Sequence, residues 1–410
     1  MSKIIRFILS FFSLKNYTLK NFAFFILVIM NIQYIPLESR AGVSPIKIGM
    51  MAIMPLILLT HFKLSKAIGI IFIYFSFILL TAYIIHYETF RASTIIYMLM
   101  FLITFATFYN LVWLEEVFSM DDFLAFIKAF IYVLVIFFLL QQIAQILGIR
   151  NLPIINLVYS MEHRGVLSGY SISYEPSTFA RTMGVLYYAY LKCHEYKQGH
   201  TVTIQQIFNP EHRLVTLSFA WCMFTMGSGT AFICLGILSL YFMKGAYFVL
   251  AIPIFVSVFF LLSYFEVQQF KRATSVAEAT MTMDANEVRE TDGSAATRIT
   301  PMLNTINELD LESAESWIGH GVDYGIKMAK KKTKGKISII DDFGLIAYIL
   351  SLILVFSCSI DFFSIATIMF FLGVGGGVGN IAYLWGLLMI FTCIKYFNKK
   401  KKQEMNNYPS

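Results

Sequence analysis

The sequence predicts an all-α fold: a polytopic bundle of about twelve transmembrane helices carrying one large extracytoplasmic loop. Three observations predict it. Of 410 residues, 58% are hydrophobic and only 14% charged, a balance that excludes an ordinary soluble domain. Apolar runs of helix length recur along the chain, without the alternation of outer-membrane strands. The runs stop once, for a polar insert from 266 to 336, and then resume.

The chain opens with Lys3, Arg6, Lys15 and Lys20 around a short apolar stretch that has no small-residue cleavage site and leads into the first span. It reads as an uncleaved cytoplasmic end. Spans follow near 21–38, 42–60, 67–86, 93–112 and 123–147, each close to the roughly 20 residues that cross about 30 Å of hydrocarbon. Four more fall near 176–192, 213–227, 229–244 and 246–264, completing a first region of nine spans over 1–264. The large loop occupies 265–341. Spans near 342–358, 360–374 and 378–396 fill 342–398, and a basic tail covers 399–410.

Segments 61–66, 192–213 and 399–402 are basic and fall on the N-terminal side of this count, which makes that side the cytoplasm and both termini cytoplasmic. Segments 148–175 and 227–229 then share the outer compartment with the insert. The basic cluster Lys327, Lys330, Lys331, Lys332, Lys334 and Lys336 opposes this sidedness, although loops above about 60 residues often escape the rule. Within the insert, Ile299, Met302, Leu303, Ile306 and Leu309 recur at helical spacing after Thr297 and Thr300-Pro301, predicting an amphipathic helix near the membrane surface. The stretch 274–293 reads as looser.

A net charge of +7 needs only the membrane face to explain it, so no nucleic-acid partner is implied. Cys193, Cys222, Cys234, Cys358 and Cys393 show no CxxC spacing. Neither a disulfide framework nor a zinc site is indicated, and no metal ligands are assigned.

Polar chemistry concentrates at a few places. Pro176 favours the first turn of a helix and holds Glu175 extended at its mouth, where the carboxylate faces the positive helix end. A capping glutamate without chemistry is the plainer alternative. Arg181 lies six residues on, about 240° around the same helix, and an arginine this deep faces protein, water or an anion unless it snorkels. Met226-Gly227-Ser228-Gly229-Thr230 joins two short apolar stretches as a tight helical hairpin or broken helix whose free amides could meet an anion, or as a mere turn. Arg164, Arg272, Arg289 and Arg298 could converge above the membrane to grip phosphate oxygens, or could simply be solvated. Trp317-Ile318-Gly319-His320-Gly321-Val322-Asp323 offers close backbone approach at two glycines, an imidazole for proton exchange and an aromatic face for sugars; an ordinary turn is its alternative. Asp341-Asp342 reads as a helix start rather than a metal site, and the glycines of 373–379 as close helix packing rather than a nucleotide loop.

Taken in order, Glu175-Pro176-Ser177 at the start of a span, the pinch at 225–229, a large loop with Arg298, Trp317-Ile318-Gly319-His320-Gly321, and Ser338 to Leu345 leading into the next span resemble the O-antigen polymerase (Wzy-type) and O-antigen ligase superfamily. The resemblance covers about 160–350. Gly229 stands where the family often has arginine after the pinch serine. It implies an inverting glycosyltransferase of the bacterial cytoplasmic membrane, acting in lipopolysaccharide biosynthesis. Such an enzyme moves a growing glycan from undecaprenyl diphosphate onto the next lipid-linked repeat unit. It further implies Glu175 and His320 as catalytic residues and Arg164, Arg181, Arg298, Ser228 and Trp317 as substrate contacts. No cofactor is required, and the expected partners are the lipid-linked oligosaccharide, membrane lipid, and chain-length regulator and flippase proteins. Alternatives are a ligase joining polysaccharide to a lipid acceptor, and a flippase of lipid-linked sugars.

Overall fold

The computed structural model describes residues 18–33, 44–61, 63–149, 167–173, 175–243, 264, 274–275, 278–291, 293–324, 337–374, 378 and 382–407. Every regular element among them is helical. Four helices are long and apolar enough to cross a membrane by length and composition: Lys66–Ile85, Ala92–Trp113, Met120–Ile146 and Ser338–Cys358. Shorter apolar helices run over Leu19–Asn31, Pro45–Thr60 and Gly229–Phe242.

In chain order these are α1 (Leu19–Asn31), α2 (Pro45–Thr60), α3 (Lys66–Leu79, continued by a π-helical turn over Leu80–Ile85), α4 (Ala92–Trp113) and α5 (Met120–Ile146). Then come α6 (Pro176–Gln198), α7 (Ile204–Ile207), α8 (Pro210–Thr225) and α9 (Gly229–Phe242). The insert supplies α10 (Ala285–Thr291), α11 (Gly293–Glu308) and α12 (Ala314–Ile318). The chain closes with α13 (Ser338–Cys358), α14 (Ile365–Ile368) and α15 (Ala382–Asn407).

Local chemistry sets the helix starts. Proline opens α2, α6 and α8, where its missing N–H has no intrahelical partner to lose. Ser119 begins α5 with a reciprocal cap: its Oγ accepts from the Asp122 amide at 3.1 Å, and Asp122 Oδ2 accepts from the Ser119 amide at 3.0 Å. Large side chains such as Phe72, Ile136, Leu140, Leu214 and Trp221 stay exposed on helix faces, as lipid-facing surfaces require. Inside, Trp385 of α15 lies against Phe105 and Phe101 of α4, and Phe24 of α1 stacks on Phe126 of α5 at 4.6 Å. In lipid such fitted contacts hold helices together, because the solvent is as apolar as the side chains.

Contacts along the helices fix their directions. Gly184 of α6 faces Cys234 of α9, and Leu191 meets Tyr241 seven residues further along both. Arg181 meets Tyr383, Tyr188 meets Phe391, and Tyr196 meets Lys401. Thus α6, α9 and α15 run parallel and begin at the same end of the bundle. Phe101 lies against Trp385 and Trp113 against Tyr396, so α4 runs the same way; Lys66, over the Trp113 ring, donates to the Ser357 carbonyl at 2.6 Å, so α13 ends where α4 ends and also starts at that first end.

The insert differs from its sequence reading in two respects. The stretch read as loose contains α10, and α11 begins at Gly293 with Pro301 inside it rather than near its start. Leu303 is buried with Val288 and Ala279, whereas Ile306 is 65% exposed. Thr305 fastens α11 to the head of α13, its Oγ1 accepting from the Ile337 amide at 2.9 Å. Apart from Tyr264, the expected span at 246–264 lies outside the described residues, as does the basic cluster at 327–336.

Candidate functional site

Glu175 caps α6 in an extended conformation, φ −151° and ψ 159°, as a residue before proline should. Ser177 Oγ donates to its Oε1. The carboxylate therefore stands at the helix mouth, next to the first free amides of the turn. One and a half turns deeper, Arg181 is 7% exposed; its Nη1 donates to the Tyr383 hydroxyl at 2.5 Å, while its buried Nε has no hydrogen-bond partner among the described residues. Three residues on, Gly184 packs on Cys234 of α9, so the guanidinium, held by Tyr383, lies close to where α6, α9 and α15 meet.

Ser228 precedes α9, buried and making no capping bond to it. The connection from α8 to α9 is a tight hairpin, with Gly227 at φ +69°. Because α6 and α9 are parallel, the openings at Glu175 and Ser228 lie at the same end, and two positive helix ends point the same way.

Two glutamines of α5 join these openings, and sequence reasoning missed both. Gln141 Oε1 accepts from the amides of Tyr170 and Ser171 at 3.0 and 2.8 Å, and its Nε2 donates to the Ser171 carbonyl at 2.5 Å. Gln142 Nε2 donates to the Leu167 carbonyl at 2.6 Å and to Thr225 Oγ1 at 3.0 Å, while its Oε1 accepts from Trp221 Nε1 at 3.0 Å. One side chain thus ties the segment before Glu175 to the hairpin before Ser228. Gln145, one turn on, is buried with no hydrogen-bond partner for either amide atom among the described residues. Unsatisfied buried polar atoms at Gln145, Thr182 and Arg181 suit a site that receives a polar ligand.

The His320 turn forms a separate, rigid piece at the same end. The His320 and Gly321 amides donate to the carbonyls of Asp341 and Asp342 at 2.9 and 3.0 Å. A Cβ on Gly319 would sit 2.5 Å from the Phe343 nitrogen, and one on Gly344 2.1 Å from the Trp317 oxygen; both glycines have positive φ. The close backbone approach expected at Gly319 and Gly321 is therefore present, and Asp341-Asp342 supplies its acceptors. Asp323 binds Arg91 at 2.7 Å, anchoring the turn to the head of α4. The His320 ring stacks on Tyr324; its Nε2 lies 3.2 Å from Glu315 and its Nδ1 3.3 Å from the Asp341 carbonyl, so either nitrogen can carry the proton. Trp317 donates from Nε1 to the Leu311 carbonyl and leaves 38% of its surface exposed.

Glu175, Arg181, Ser228, Trp317 and His320 thus belong to one end of the bundle, in two pieces: an α6–α9–α15 mouth and the turn on α13. Arg298 lies on α11 and Arg289 on α10. Arg164, Arg272 and most of the glycine-rich 373–379 fall outside the described residues. Chemically, this end offers a carboxylate, a half-partnered buried guanidinium, an imidazole beside a carboxylate, and aligned helix ends. No family model, curated protein or solved structure matches this chain.

Proposed function

We propose that this protein is a polysaccharide polymerase of the O-antigen type, a membrane glycosyltransferase that uses a polyprenyl-diphosphate-linked donor. The observation that carries the reading is the parallel start of α6, α9 and α15, which sets Glu175 at one mouth and buries Arg181 between the three helices. An anionic lipid head fits there: positive helix ends and a guanidinium face its diphosphate, and a carboxylate stands beside them. In the reaction the acceptor hydroxyl attacks the anomeric carbon, the bond from that carbon to the diphosphate oxygen breaks, and Glu175 takes the hydroxyl proton. Arg181, with Arg164 and Arg298, stabilises the departing diphosphate. His320, oriented by Glu315, is the second candidate base, and Trp317 offers its exposed ring to a sugar.

In this reading the chain crosses the bacterial cytoplasmic membrane about twelve times. The end rich in lysine faces the cytoplasm, and the end holding Glu175, the His320 turn and the insert faces outward.

The test is purified protein in liposomes with lipid-linked repeat units. Longer lipid-linked chains support a polymerase; transfer to a second lipid acceptor marks a ligase, and movement without new bonds a transporter. Glu175→Ala, Arg298→Ala and His320→Ala should each insert normally yet yield single repeat units. Normal chain length in all three overturns the assignment.

A further inference from the structure

At the opposite end of α6 from Glu175, three potential metal ligands meet that the sequence keeps apart. His194 lies in the last turns of α6, and Glu211 and His212 in the first turn of α8, beyond a connection that contains α7. One ligand atom from each falls within 4.8 Å of the other two. The imidazole rings stand 4.4 Å apart at 82°, and His194 Nδ1 lies 3.9 Å from Glu211 Oε1. Both histidines are buried, whereas Glu211 is 65% exposed and so free to swing.

We infer that His194, Glu211 and His212 form a site for one divalent late first-row transition metal, zinc being the best fit. Three protein donors of the two-histidine, one-carboxylate type plus one water complete a tetrahedron around zinc. A zinc ion about 2.1 Å from each donor needs the donors about 3.4 Å apart, so they must close by roughly an ångström: rotation of the exposed Glu211 side chain closes its two distances, and the two imidazoles must turn slightly toward each other. Two imidazoles select against magnesium and calcium, which take oxygen donors. The Tyr190 hydroxyl holds His212 Nδ1 at 2.8 Å, leaving Nε2 as the ring nitrogen for a metal and fixing the ring by an outer hydrogen bond. A neutral imidazole is the ligating form, and both rings sit out of water at the helix junction. The same burial in a protein without a metal would leave two edge-on rings packed for shape alone, which is the competing account.

Such an ion would staple the end of α6 to the start of α8. Those two helices carry Glu175 and the Thr225 hairpin at their far ends, so the staple would brace the pair without touching the reacting groups.

The test uses the full chain in detergent, purified without a polyhistidine tag and stripped by chelator. Titration with cobalt(II) should show one equivalent bound with tetrahedral visible absorption, displaced by zinc. His212→Ala and His194→Ala should each weaken binding on the order of 100-fold, and Glu211→Gln about 10-fold. X-ray absorption of the zinc-loaded wild type should count two imidazoles, a reading that needs no variant to fold. Absence of stoichiometric binding, binding unchanged in the His194→Ala/His212→Ala double variant, or a zinc shell without imidazole overturns the site.

Discussion

The two ends of this bundle are closed by different chemistry, and the difference separates scaffold from site. At one end, lysines cap helix C-termini: Lys66 donates to the Ser357 carbonyl, Lys395 to those of Phe356 and Ile360, Lys63 to that of Leu114, and Lys401 to that of Tyr196. Cations at carbonyl ends satisfy the dipole, while Asn110 Oδ1, Trp113 Nε1 and Glu195 Oε2 stay buried there without a hydrogen-bond partner among the described residues. At the other end the closures run backbone to backbone through glycines, or through the amides of Gln141 and Gln142, while Arg181, Thr182 and Gln145 keep buried polar atoms unsatisfied. The contrast is one of closure: lysine cations on carbonyl ends at the first end, glycine-spaced backbone and buried glutamine amides at the second.

The sharpest way to break the comparison is Gly344→Ala. A Cβ there would meet the Trp317 oxygen at 2.1 Å, on a residue at φ +82°. Strain and clash together should cost about 3 kcal/mol or more, unseating the His320 turn from α13. Thermal unfolding in detergent and protease sensitivity of 311–324 measure it. Gly236→Ala is the matched control: nothing lies within 4 Å of its Cβ, and alanine in a helix interior should be neutral or stabilising by up to about 1 kcal/mol. Equal effects of the two substitutions would show that the turn is not held as described.

Next in size is Gln142→Leu. It leaves the Leu167 carbonyl, Thr225 Oγ1 and Trp221 Nε1 without this partner, at about 1–3 kcal/mol for a buried group left unsatisfied. If this side chain aligns the Glu175 mouth with the Ser228 hairpin, polymer length should collapse in Gln142→Leu while membrane insertion stays normal. A variant that loses stability but keeps full chain length would make Gln142 a brace and nothing more.

That residue also marks where sequence reading stops. Hydropathy makes the helices legible, since the lipid-facing demand is local to each run. Glu175-Pro176 is legible because proline dictates its own geometry and that of its predecessor. The glycines of the His320 turn are legible as close approach, yet the matching glycine, Gly344, is not, because its contact is with Trp317, 27 positions earlier in the chain. Gln141 and Gln142 look like flaws in an apolar run until the segment 167–171 and Thr225 are seen folded onto them. His194 and Glu211-His212 are separate in sequence, so spacing rules for metal motifs pass over them. Arg181 is legible as costly but not as shared, since the parallel approach of α9 and α15 is a property of the fold.

The smallest expected effect lies at the lysine end. Lys400 donates to Glu116 Oε2 at 2.6 Å, and that hydrogen bond holds the Glu116 carboxyl below its usual range while raising Lys400. A carboxylate with a depressed folded pKa contributes stability that is present above the unfolded value of 4.5 and is lost as pH falls through the folded one. Both side chains are about half exposed, so solvent and salt screen the pair, and a double-mutant cycle on Glu116→Gln and Lys400→Met should give about 0.5 kcal/mol or less. The coupling should shrink further in 1 M salt and vanish in acid. A coupling above about 2 kcal/mol would mean that this end is a specific closure like the His320 turn, and the contrast between a solvent-screened end and a tightly fitted one would fail.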